Sequence, residues 1–488
     1  MSRPPIRWIL LIAIGITAIA VRASTINQPF IDLWSWRQTD VAAIARNYLH
    51  GGKFAFPQID WTGANAGYVG TEFPILPFAA ALCYKIVGIH EWIGRSQSLI
   101  FFALSLPFFF ALVSSVFDEE SAMWALLFYS FTPLSVMLSR CFMPDMPSLS
   151  LCVIGLYFFT RWLEAKKWFL FFLSALAISL AILIKLPSAV IGAPLACLAL
   201  ERFGFRVLQR PSMWLFGILV LAPSVVWYLH AADVANRFYP HHFFGAGGVR
   251  LMPLGWYWKI AVRMITSDVT PVPLVLAAAG LLMASRYVAV RSFLFHWWLV
   301  AMVLFVVVVG YGNRHSWYQL PLIPIIAALA GRAMSSVRTN LRERPLISGG
   351  VALIVVLVFG GQAYRATAEL MRPAAANLRI LGLALNKITP AGSFVITADY
   401  GDPTALYYAE RKGWHFTEKN AIYNGHPPSN AAAIADLEHL RKEGATHIAF
   451  YSGTIWWLDY YDEFTRHLIQ TSDHVEKAPA YQIFELRR

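Results

Sequence analysis

The sequence predicts an α-helical polytopic membrane protein that carries a small C-terminal α/β domain. Of its 488 residues, 57% are hydrophobic and only 14% are charged, whereas a soluble domain carries about 25% charged residues. Apolar runs of about 20 residues, the length that crosses a bilayer as a helix, recur through most of the chain. After residue 364 the composition becomes that of an ordinary soluble domain. Most of the chain is therefore expected to lie in lipid.

Charged residues, Pro and Gly bound about eleven such apolar runs, which we interpret as transmembrane helices. Arg3 and Arg7 precede the first run, which lacks a convincing small-residue cleavage site, so it is interpreted as a retained span and not as a signal peptide. The approximate bounds are 8–23, 97–117, 121–139, 147–163, 168–184, 188–201, 213–230, 271–285, 293–310, 320–335 and 346–364.

The distribution of Lys and Arg residues sets the predicted orientation. With the N-terminus in the cytoplasm, the inner loops carry about twice as many Lys and Arg residues as the outer loops, as the positive-inside rule requires. These loops account for the net charge of +12, so no nucleic-acid partner is predicted. Eleven spans then place the C-terminus outside.

Two regions lie outside the predicted spans. The membrane module at 1–364 contains a first outer loop at 24–96, in which the stretches 40–50 and 75–88 have the mixed character of interfacial helices. The second region is an extracytoplasmic α/β domain at 365–488. Its predicted strands are "SFVITA", "WHFT", "HIAFYS" and "YQIFEL", and its predicted helices cover 402–411 and 429–443.

Ionisable residues gather at the predicted outer face of the membrane. Charged groups at membrane depth are costly and are therefore candidates for a functional site. Carboxylates and cations that meet at one face suit the deprotonation of a hydroxyl and the stabilisation of an anionic leaving group. The candidates are Asp32, Arg37, Asp40 and Glu72 in the first outer loop, Arg140 and Asp145 in the second, Lys185 at the end of the fifth span, and Asn313, Arg314, His315 and Tyr318 before the tenth.

Four segments at the span ends resemble elements of the GT-C membrane glycosyltransferases. "SRCFMPDMPSLS" is similar to the "R…DxPL" element that opens their fourth span, and "IKLP" is similar to their "TKGP" element. "NRHSWYQLPLIP" is similar to "R-H-x-Y-x-L-P-L-x-P", and "EWIGRSQSLIF", with Arg95, resembles the segment that leads into their second span. The order and placement of these elements, over roughly residues 8–335, point to the bacterial lipid A aminoarabinose transferases and the protein O-mannosyltransferases.

The resemblance implies the GT-C fold and a multi-pass enzyme of the bacterial inner membrane, with its active site and C-terminal domain in the periplasm. The donor would be a polyprenyl-phosphate sugar, and the acceptor a hydroxyl group of a glycan, a lipid or a protein. A first-loop aspartate would act as the base, and attack at the anomeric carbon would invert its configuration and expel polyprenyl phosphate. Basic residues, and in some relatives a divalent cation such as Mg²⁺ or Mn²⁺, would hold the phosphate. The identities of sugar and acceptor stay open.

The first outer loop departs from the family pattern at the position of the base. Relatives carry Asp-Glu ahead of "AYYAEIAREML", and aligning "AAIARNYL" with that helix places Arg37 and Gln38 there. The base is therefore assigned to Asp40 or Asp32. Asp40 is preferred because Thr39 is expected to cap the helix and to leave the carboxylate in its first turn, where the helix dipole favours it. The alternative is that Asp40 is only a helix-start charge paired with Arg37.

The remaining candidates receive their roles from the resemblance. Asp145 is expected to orient the acceptor, to share the role of base or to bind a metal, and the alternative is a salt bridge with Arg140. Lys185 is expected to contact the donor phosphate, and the alternative is a side chain that reaches the lipid headgroups. Further candidates are Arg314, His315 and Arg37 for the phosphate, with ordinary loop polarity as the alternative, and Glu72 for support of the base or of a metal.

Two other functions compete with this interpretation. A transporter or lipid flippase would place charges near the membrane midplane on broken helices, whereas the charges here gather at one predicted face. A GT-C enzyme that transfers an oligosaccharide from a lipid pyrophosphate is the nearer alternative. His241 and His242, in "FYPHHFFGAGG", are interpreted as loop residues, and no Cys or His pair has the spacing of a zinc site.

Overall fold

A computed structural model describes residues 4–238, 249–283, 293–419 and 422–487, so His241 and His242 lie outside the described residues. The described residues form two compact units. The helical unit comprises Met1–Asn27, Arg95–Tyr228 and Gly245–Met371, and the mixed unit comprises Gln28–Gly94, Leu229–Phe244 and Arg372–Arg488. The mixed unit thus contains the first predicted outer loop together with the C-terminal α/β region.

Helices dominate the described chain, and strands occur only in the mixed unit. The helices are α1 (Pro4–Ala23), α2 (Ser35–Leu49), α3 (Ile75–Val87), α4 (Glu91–Val116), α5 (Glu119–Phe131), α6 (Pro133–Leu138), α7 (Asp145–Ala165), α8 (Trp168–Ile184), α9 (Gly192–Phe203), α10 (Pro211–Arg237), α11 (Leu254–Arg263), α12 (Pro271–Leu282), α13 (Leu294–Val309), α14 (Leu322–Asn340), α15 (Pro345–Leu370), α16 (Ala376–Ile388), α17 (Thr404–Ala409), α18 (Asn430–Lys442), α19 (Trp456–Tyr460) and α20 (Asp462–Gln470). The strands are β1 (Phe394–Ala398), β2 (Lys412–His415), β3 (Glu418–Lys419), β4 (Ile422–Tyr423), β5 (Ala445–Tyr451), β6 (Ser472–Ala478) and β7 (Tyr481–Leu486).

The helical unit has the composition of a multi-pass membrane protein. Within the described ranges, six helices are long and apolar enough to cross a bilayer, or up to seven if the bent pair Leu254–Asp268 and Pro271–Leu282 is one span. The predicted count of about eleven is not confirmed. One reason is that the predicted span 121–139 is divided into α5 and α6 at Pro133, which has no amide hydrogen to continue the helix. Helix α15 runs through the boundary predicted at residue 364, and the domain limits themselves stay a prediction.

The main sheet of the mixed unit has five strands in the order β2-β1-β5-β7-β6. Strand β1 pairs in parallel with β2 and β5, whereas β7 pairs antiparallel with β5 and β6. The four predicted strands correspond to β1, β2, β5 and β7, and the two predicted helices to α17 and α18. The sequence does not predict β6, because "SDHVEKA" is polar and its side chains are largely accessible.

The two faces of the sheet are covered differently. Side chains alternate along each strand, so Val395 of β1 faces one side and Ile396 faces the other. The Ile396 side packs against residues of α18, α19 and α20. The Val395 side packs against α16 and α17, and also against residues of the first loop, namely Ile44, Tyr48, Ile59, Trp61, Val69 and Ala81. The first loop therefore forms part of the hydrophobic core of the C-terminal sheet.

The first loop also extends the sheet at its β2 edge. The amide of Gly63 donates a hydrogen bond to the carbonyl of Gly413 (2.7 Å), and the amide of Gly413 donates to the carbonyl of Asp60 (2.9 Å). Glycine is required at position 63, where φ is +60° and a Cβ would lie 2.0 Å from the indole of Trp414. These bonds hold the chain around Trp61 against β2 and satisfy backbone groups that an open edge strand would expose.

Candidate functional site

Helix α2 carries two of the sequence-predicted site residues, Arg37 and Asp40, and it begins earlier than predicted. Its first residue is Ser35, and the hydroxyl of Thr39 donates to the Ser35 carbonyl inside the helix (3.0 Å). The prediction that Thr39 caps the helix is therefore wrong. Asp40 consequently lies in the second turn, where the helix dipole acts on it less strongly. Twelve of the fifteen residues of α2 are buried, so the helix is enclosed on nearly every side.

The carboxylate of Asp40 is buried in the mixed unit with only 2% of the residue exposed. The indole Nε1 of Trp61 donates a hydrogen bond to its Oδ1 at 2.9 Å. Burial raises the pKa of Asp40 to about 6, while the positive charge of Arg37, the Trp61 hydrogen bond and the charge of His415 oppose the increase. The result is a carboxylate that is ionised at neutral pH and yet binds a proton more readily than an exposed aspartate.

A histidine–aspartate pair from the C-terminal domain, His415 and Asp399, lies next to Trp61. The ring centroid of His415 is 5.1 Å from that of Trp61, and His415 Nδ1 lies 2.8 and 3.0 Å from the two carboxylate oxygens of Asp399. Asp399 also accepts from the Thr397 hydroxyl (2.6 Å) and from the Gly401 amide (2.9 Å). Burial lowers the pKa of His415, but the adjacent Asp399 carboxylate outweighs that effect and leaves this pKa raised.

Two further carboxylates surround the start of α2. Asp402 accepts from the hydroxyl of Ser35 (2.6 Å) and from the amide of Thr404 (2.9 Å), and burial raises its pKa. Asp32 is fully buried and accepts a hydrogen bond from the Gln38 amide group. We refer to Asp40, Trp61, Asp399, Asp402 and His415 as the Asp40 cluster.

Arg37 forms an ion pair with Glu72 on the same unit. Its Nη2 lies 2.7 and 2.9 Å from the two carboxylate oxygens, and the hydroxyl of Thr71 donates to Glu72 at 2.6 Å. The charge of Arg37 still lowers the pKa of Asp40, although burial dominates. Arg37 and Glu72 thus neutralise each other beside α2.

In the helical unit, the structure brings together Asp145 and Lys185. Asp145 is the first residue of α7, and its carboxylate lies 3.1 Å from Lys185 Nζ. The Lys185 ammonium lies 5.1 Å from the ring centroid of Tyr318 and is buried. The alternative of a lysine that extends to the headgroups is therefore wrong. Both side chains and Tyr318 line a cavity of about 20 Å³, large enough for one water molecule.

The segment before α14 contributes aromatic and cationic groups to the same unit. The ring of His315 stacks on Trp317 with centroids 4.2 Å apart, and Trp317 lines the cavity beside Lys185. The guanidinium of Arg314 lies 4.9 Å from the ring centroid of Tyr311. The buried side chain of Arg140 donates to the Thr25 carbonyl at 3.3 Å.

The carboxylates proposed as metal ligands each lie beside a cationic side chain. Glu72 is paired with Arg37 and Asp145 with Lys185. Within residues 4–238, 249–283, 293–419 and 422–487, no group of three or more His, Cys, Asp or Glu side chains has an arrangement that holds a metal ion. Binding of a divalent cation by these carboxylates stays a prediction.

Solved structures of membrane glycosyltransferases share this architecture over nearly the whole chain. ArnT from Cupriavidus metallidurans in the apo state superposes with a TM-score of 0.70 at 16% identity, covering 99% of this chain and 98% of that chain. The same ArnT bound to undecaprenyl phosphate superposes with a TM-score of 0.68 at 14% identity and the same coverage. The chain has the GT-C glycosyltransferase fold. Oligosaccharyltransferase from Archaeoglobus fulgidus, in complex with Zn and sulfate, is similar to this chain with a TM-score of 0.64 at 14% identity, covering 97% of this chain and 73% of that chain.

A family model described as dolichyl-phosphate-mannose-protein mannosyltransferase matches residues 71–229 of the chain. No curated protein matches it significantly in sequence. The resemblance predicted from the span-end motifs is thereby confirmed.

The sequence does not predict four members of the Asp40 cluster, which are Trp61, Asp399, Asp402 and His415. One signal was available, because Asp399 directly follows the predicted strand "SFVITA" and Asp402 lies three residues later. The carboxyl ends of parallel strands commonly carry functional side chains. Trp61 gives no such signal, because its role depends on a pairing with β2 about 350 residues away in sequence.

Proposed function

We propose that this protein is a membrane glycosyltransferase that moves a single sugar from a polyprenyl-phosphate donor to a hydroxyl acceptor, with Asp40 as the base. The observation that carries this assignment is the buried Asp40 carboxylate, which is held by the Trp61 N–H and has a pKa of about 6. A general base is most effective when its pKa lies close to the working pH. The GT-C fold and the mannosyltransferase family match support the reaction class.

In the proposed reaction, Asp40 accepts the proton of the acceptor hydroxyl as the oxygen attacks the anomeric carbon. The new C–O bond forms while the bond between that carbon and the phosphate oxygen breaks. The leaving polyprenyl phosphate takes the bonding electron pair, and the configuration at the anomeric carbon is inverted. The acceptor proton remains on Asp40 until the product leaves. Burial of Asp40 limits the access of water, which would otherwise compete as an acceptor.

Cationic side chains are proposed to bind the phosphate of the leaving group. We propose that Lys185 binds the donor phosphate and that Asp145 holds the lysine in place, or orients the acceptor, through their 3.1 Å ion pair. A buried ammonium stabilises developing negative charge better than an exposed one, because less water screens it. Secondary phosphate candidates are Arg314, His315 and Arg37, and Glu72 is assigned to the orientation of Arg37.

The proposed location is the bacterial inner membrane, with the N-terminus in the cytoplasm and the first outer loop and C-terminal domain in the periplasm. The excess of Lys and Arg in the predicted inner loops supports this orientation. Polyprenyl phosphate, the bilayer and an acceptor hydroxyl are then the partners of the enzyme.

The assignment of the base is tested by comparing Asp40→Asn with Asp32→Asn. The purified protein is given polyprenyl-phosphate sugars, and the release of polyprenyl phosphate is measured together with glycosylation of a crude envelope extract. We expect Asp40→Asn to lower the rate by at least about 100-fold, because the amide cannot accept the proton. Asp473→Asn, which alters an exposed carboxylate of the same unit, is the control and should retain full activity.

Full activity in Asp40→Asn with loss in Asp32→Asn would transfer the role of base to Asp32. Full activity in both variants would exclude the first loop as the source of the base. Absence of any covalent product, together with movement of the intact lipid across vesicles, would favour the flippase alternative.

Oligosaccharide transfer is the second candidate, because the fold is similar to that of an oligosaccharyltransferase. The two reactions differ in their donors, so the same assay is run with a monosaccharide on polyprenyl monophosphate and an oligosaccharide on polyprenyl diphosphate. Turnover of only the monophosphate supports the proposed function. Addition of EDTA to this assay tests directly whether the activity depends on a metal.

A further inference from the structure

The side chain of Trp61 lies between the C-terminal sheet and Asp40. Trp61 is buried, and its Nε1 donates a hydrogen bond to Asp40. The ring of His415, which belongs to β2, lies next to the same indole. The position of the indole therefore decides the direction of the only N–H that Trp61 can donate from its side chain. His415 belongs to β2, more than 350 residues beyond Trp61 in the sequence.

Two sets of bonds fix His415 and Trp61 relative to each other. The Asp399 carboxylate accepts from His415 Nδ1 and is itself held by the Thr397 hydroxyl and the Gly401 amide. The backbone around Trp61 is hydrogen-bonded on both sides to Gly413, two residues before His415. A carboxylate that binds one ring nitrogen of a histidine fixes both its tautomer and its ring orientation.

A third contact links the same loop of the sheet to α2 itself. Asp402, three residues after Asp399, accepts from Ser35 at the first position of α2. The loop that follows β1 therefore binds the helix of Asp40 through Asp402 and binds His415 through Asp399. The charged and titratable groups that act on Asp40 are Arg37, His415 and Asp402, and those that act on His415 are Asp399, Asp40 and Asp402.

We infer that His415 and Asp399 of the C-terminal domain are positioning residues for the base: they hold the Trp61 indole so that its N–H binds the ionised form of Asp40. This role rests on the proposed function of Asp40. The C-terminal sheet then contributes positioning residues to the candidate active site and is not only a neighbouring domain. All of these residues lie in the mixed unit.

The test compares Trp61→Phe, His415→Gln and Asp399→Asn in the full-length protein. Trp61→Phe removes the N–H and keeps an aromatic ring, His415→Gln removes the charge and the ring, and Asp399→Asn removes the carboxylate that holds His415. Each change destabilises ionised Asp40, so the acidic limb of the pH profile of kcat/KM should move to higher pH. We expect kcat at neutral pH to fall about tenfold in each variant, while KM for the donor stays within about twofold.

A double variant separates positioning from general stability. If His415 acts through Trp61, the loss in Trp61→Phe combined with His415→Gln will be smaller than the product of the two single losses. His474→Gln, which alters an exposed histidine of β6 in the same sheet, should leave both the pH profile and kcat unchanged. Apparent melting temperatures are recorded for every variant.

The inference is overturned if Asp40→Asn is inactive while folded His415→Gln and Asp399→Asn keep the wild-type pH profile and kcat. A lower melting temperature with an unmoved acidic limb would give the pair a structural role only, and would also overturn it. Should His415→Gln fail to fold, Trp61→Phe and Asp399→Asn decide the question by the same criteria. Full activity of Asp40→Asn would instead refute the proposed function, so the two failures are distinguishable.

Discussion

At the scale of single residues, Asp40 is held in an environment that costs folding free energy. Burial disfavours its charged form more than Arg37, Trp61 and His415 together favour it, and the pKa rises from an ordinary value of 3.8 to about 6. A shift of this size corresponds to a penalty on the order of 2–3 kcal/mol for the ionised carboxylate at neutral pH. Such a cost is expected where a side chain is kept for chemistry and not for stability.

We therefore predict that Asp40→Asn is inactive but more stable than the wild type at pH 7. Because the folded pKa lies above the unfolded one, the protonated form stabilises the fold below pH 4, and this stabilisation is lost as the pH rises through 6. The gain in apparent melting temperature should thus be present at pH 7 and nearly absent at pH 4. Asp473→Asn is the reference at both pH values, and a destabilised Asp40→Asn would contradict the prediction.

Unlike Asp40, whose buried charge destabilises the fold, Asp145 and Lys185 compensate each other's charge. Removing one partner of a buried pair leaves an isolated charge and typically costs about 3–5 kcal/mol. Lys185→Met should therefore destabilise the protein and raise KM for the polyprenyl-phosphate donor. The double variant Lys185→Met with Asp145→Asn should regain stability, as measured by thermal unfolding, without regaining donor affinity.

The exposed pair of Asp233 and Arg237 serves as the control for this experiment. Its members are 49% and 66% exposed, so Arg237→Met should change stability by less than about 1 kcal/mol. A wild-type KM in Lys185→Met would remove Lys185 from the phosphate site.

At the scale of elements, the junction between the first loop and β2 depends on one glycine. Gly63 has φ of +60°, and a Cβ there would enter the Trp414 indole. We predict that Gly63→Ala costs several kcal/mol and lowers activity, since the edge pairing that holds Trp61 must separate. Gly51→Ala, at φ of +97° with open space around its Cβ, should cost only about 1 kcal/mol. Equal effects in thermal unfolding and turnover would show that the contact with Trp414 is unimportant.

Periodicity predicted the local elements better than it predicted their partners. The α2 and α3 helices and the strands β1, β2, β5 and β7 occur where apolar patterns indicated them. The sequence predicts too late a start for α2, because Thr39 and Asp40 resemble a helix cap, whereas the helix begins at Ser35. The pairing of Asp60 and Gly63 with β2 leaves no periodic signal, since it depends on backbone groups that every residue has.

In the candidate site, too, the sequence predicts the residues better than it predicts the contacts between them. The carboxylates and cations at span ends were recognisable because charge is unusual in apolar sequence, and Asp145 and Lys185 do meet. The partners are less recognisable, because the sequence suggests Arg140 for Asp145 and Arg37 for Asp40 and does not suggest Lys185 or Glu72 as a partner. The structure pairs Asp145 with Lys185 and Arg37 with Glu72.

At the scale of the whole molecule, the C-terminal region packs against the first loop. The first loop and the residues after Arg372 belong to one compact unit, although the greater part of the helical unit separates them in sequence. Buried first-loop side chains such as Ile44, Ile59 and Trp61 share a hydrophobic cluster with Val395 and Ala449 of the sheet. Each such side chain contributes on the order of 1.5–3 kcal/mol when removed from water. The fold of the first loop therefore depends on the presence of the C-terminal sheet.

A chain that ends at Met371 tests this dependence. It keeps every helix of the described residues that is long and apolar enough to span a bilayer, so we expect it to insert into membranes. Its first loop loses the apolar surface of the sheet and the β2 edge, and residues 28–94 should become sensitive to limited proteolysis while the helices stay protected. Sugar transfer should be lost even though Asp40 is still present, because Trp61 no longer has a sheet to lie against. A truncated chain with a protease-resistant loop and undiminished transfer would contradict the view that the C-terminal sheet builds the site of the base.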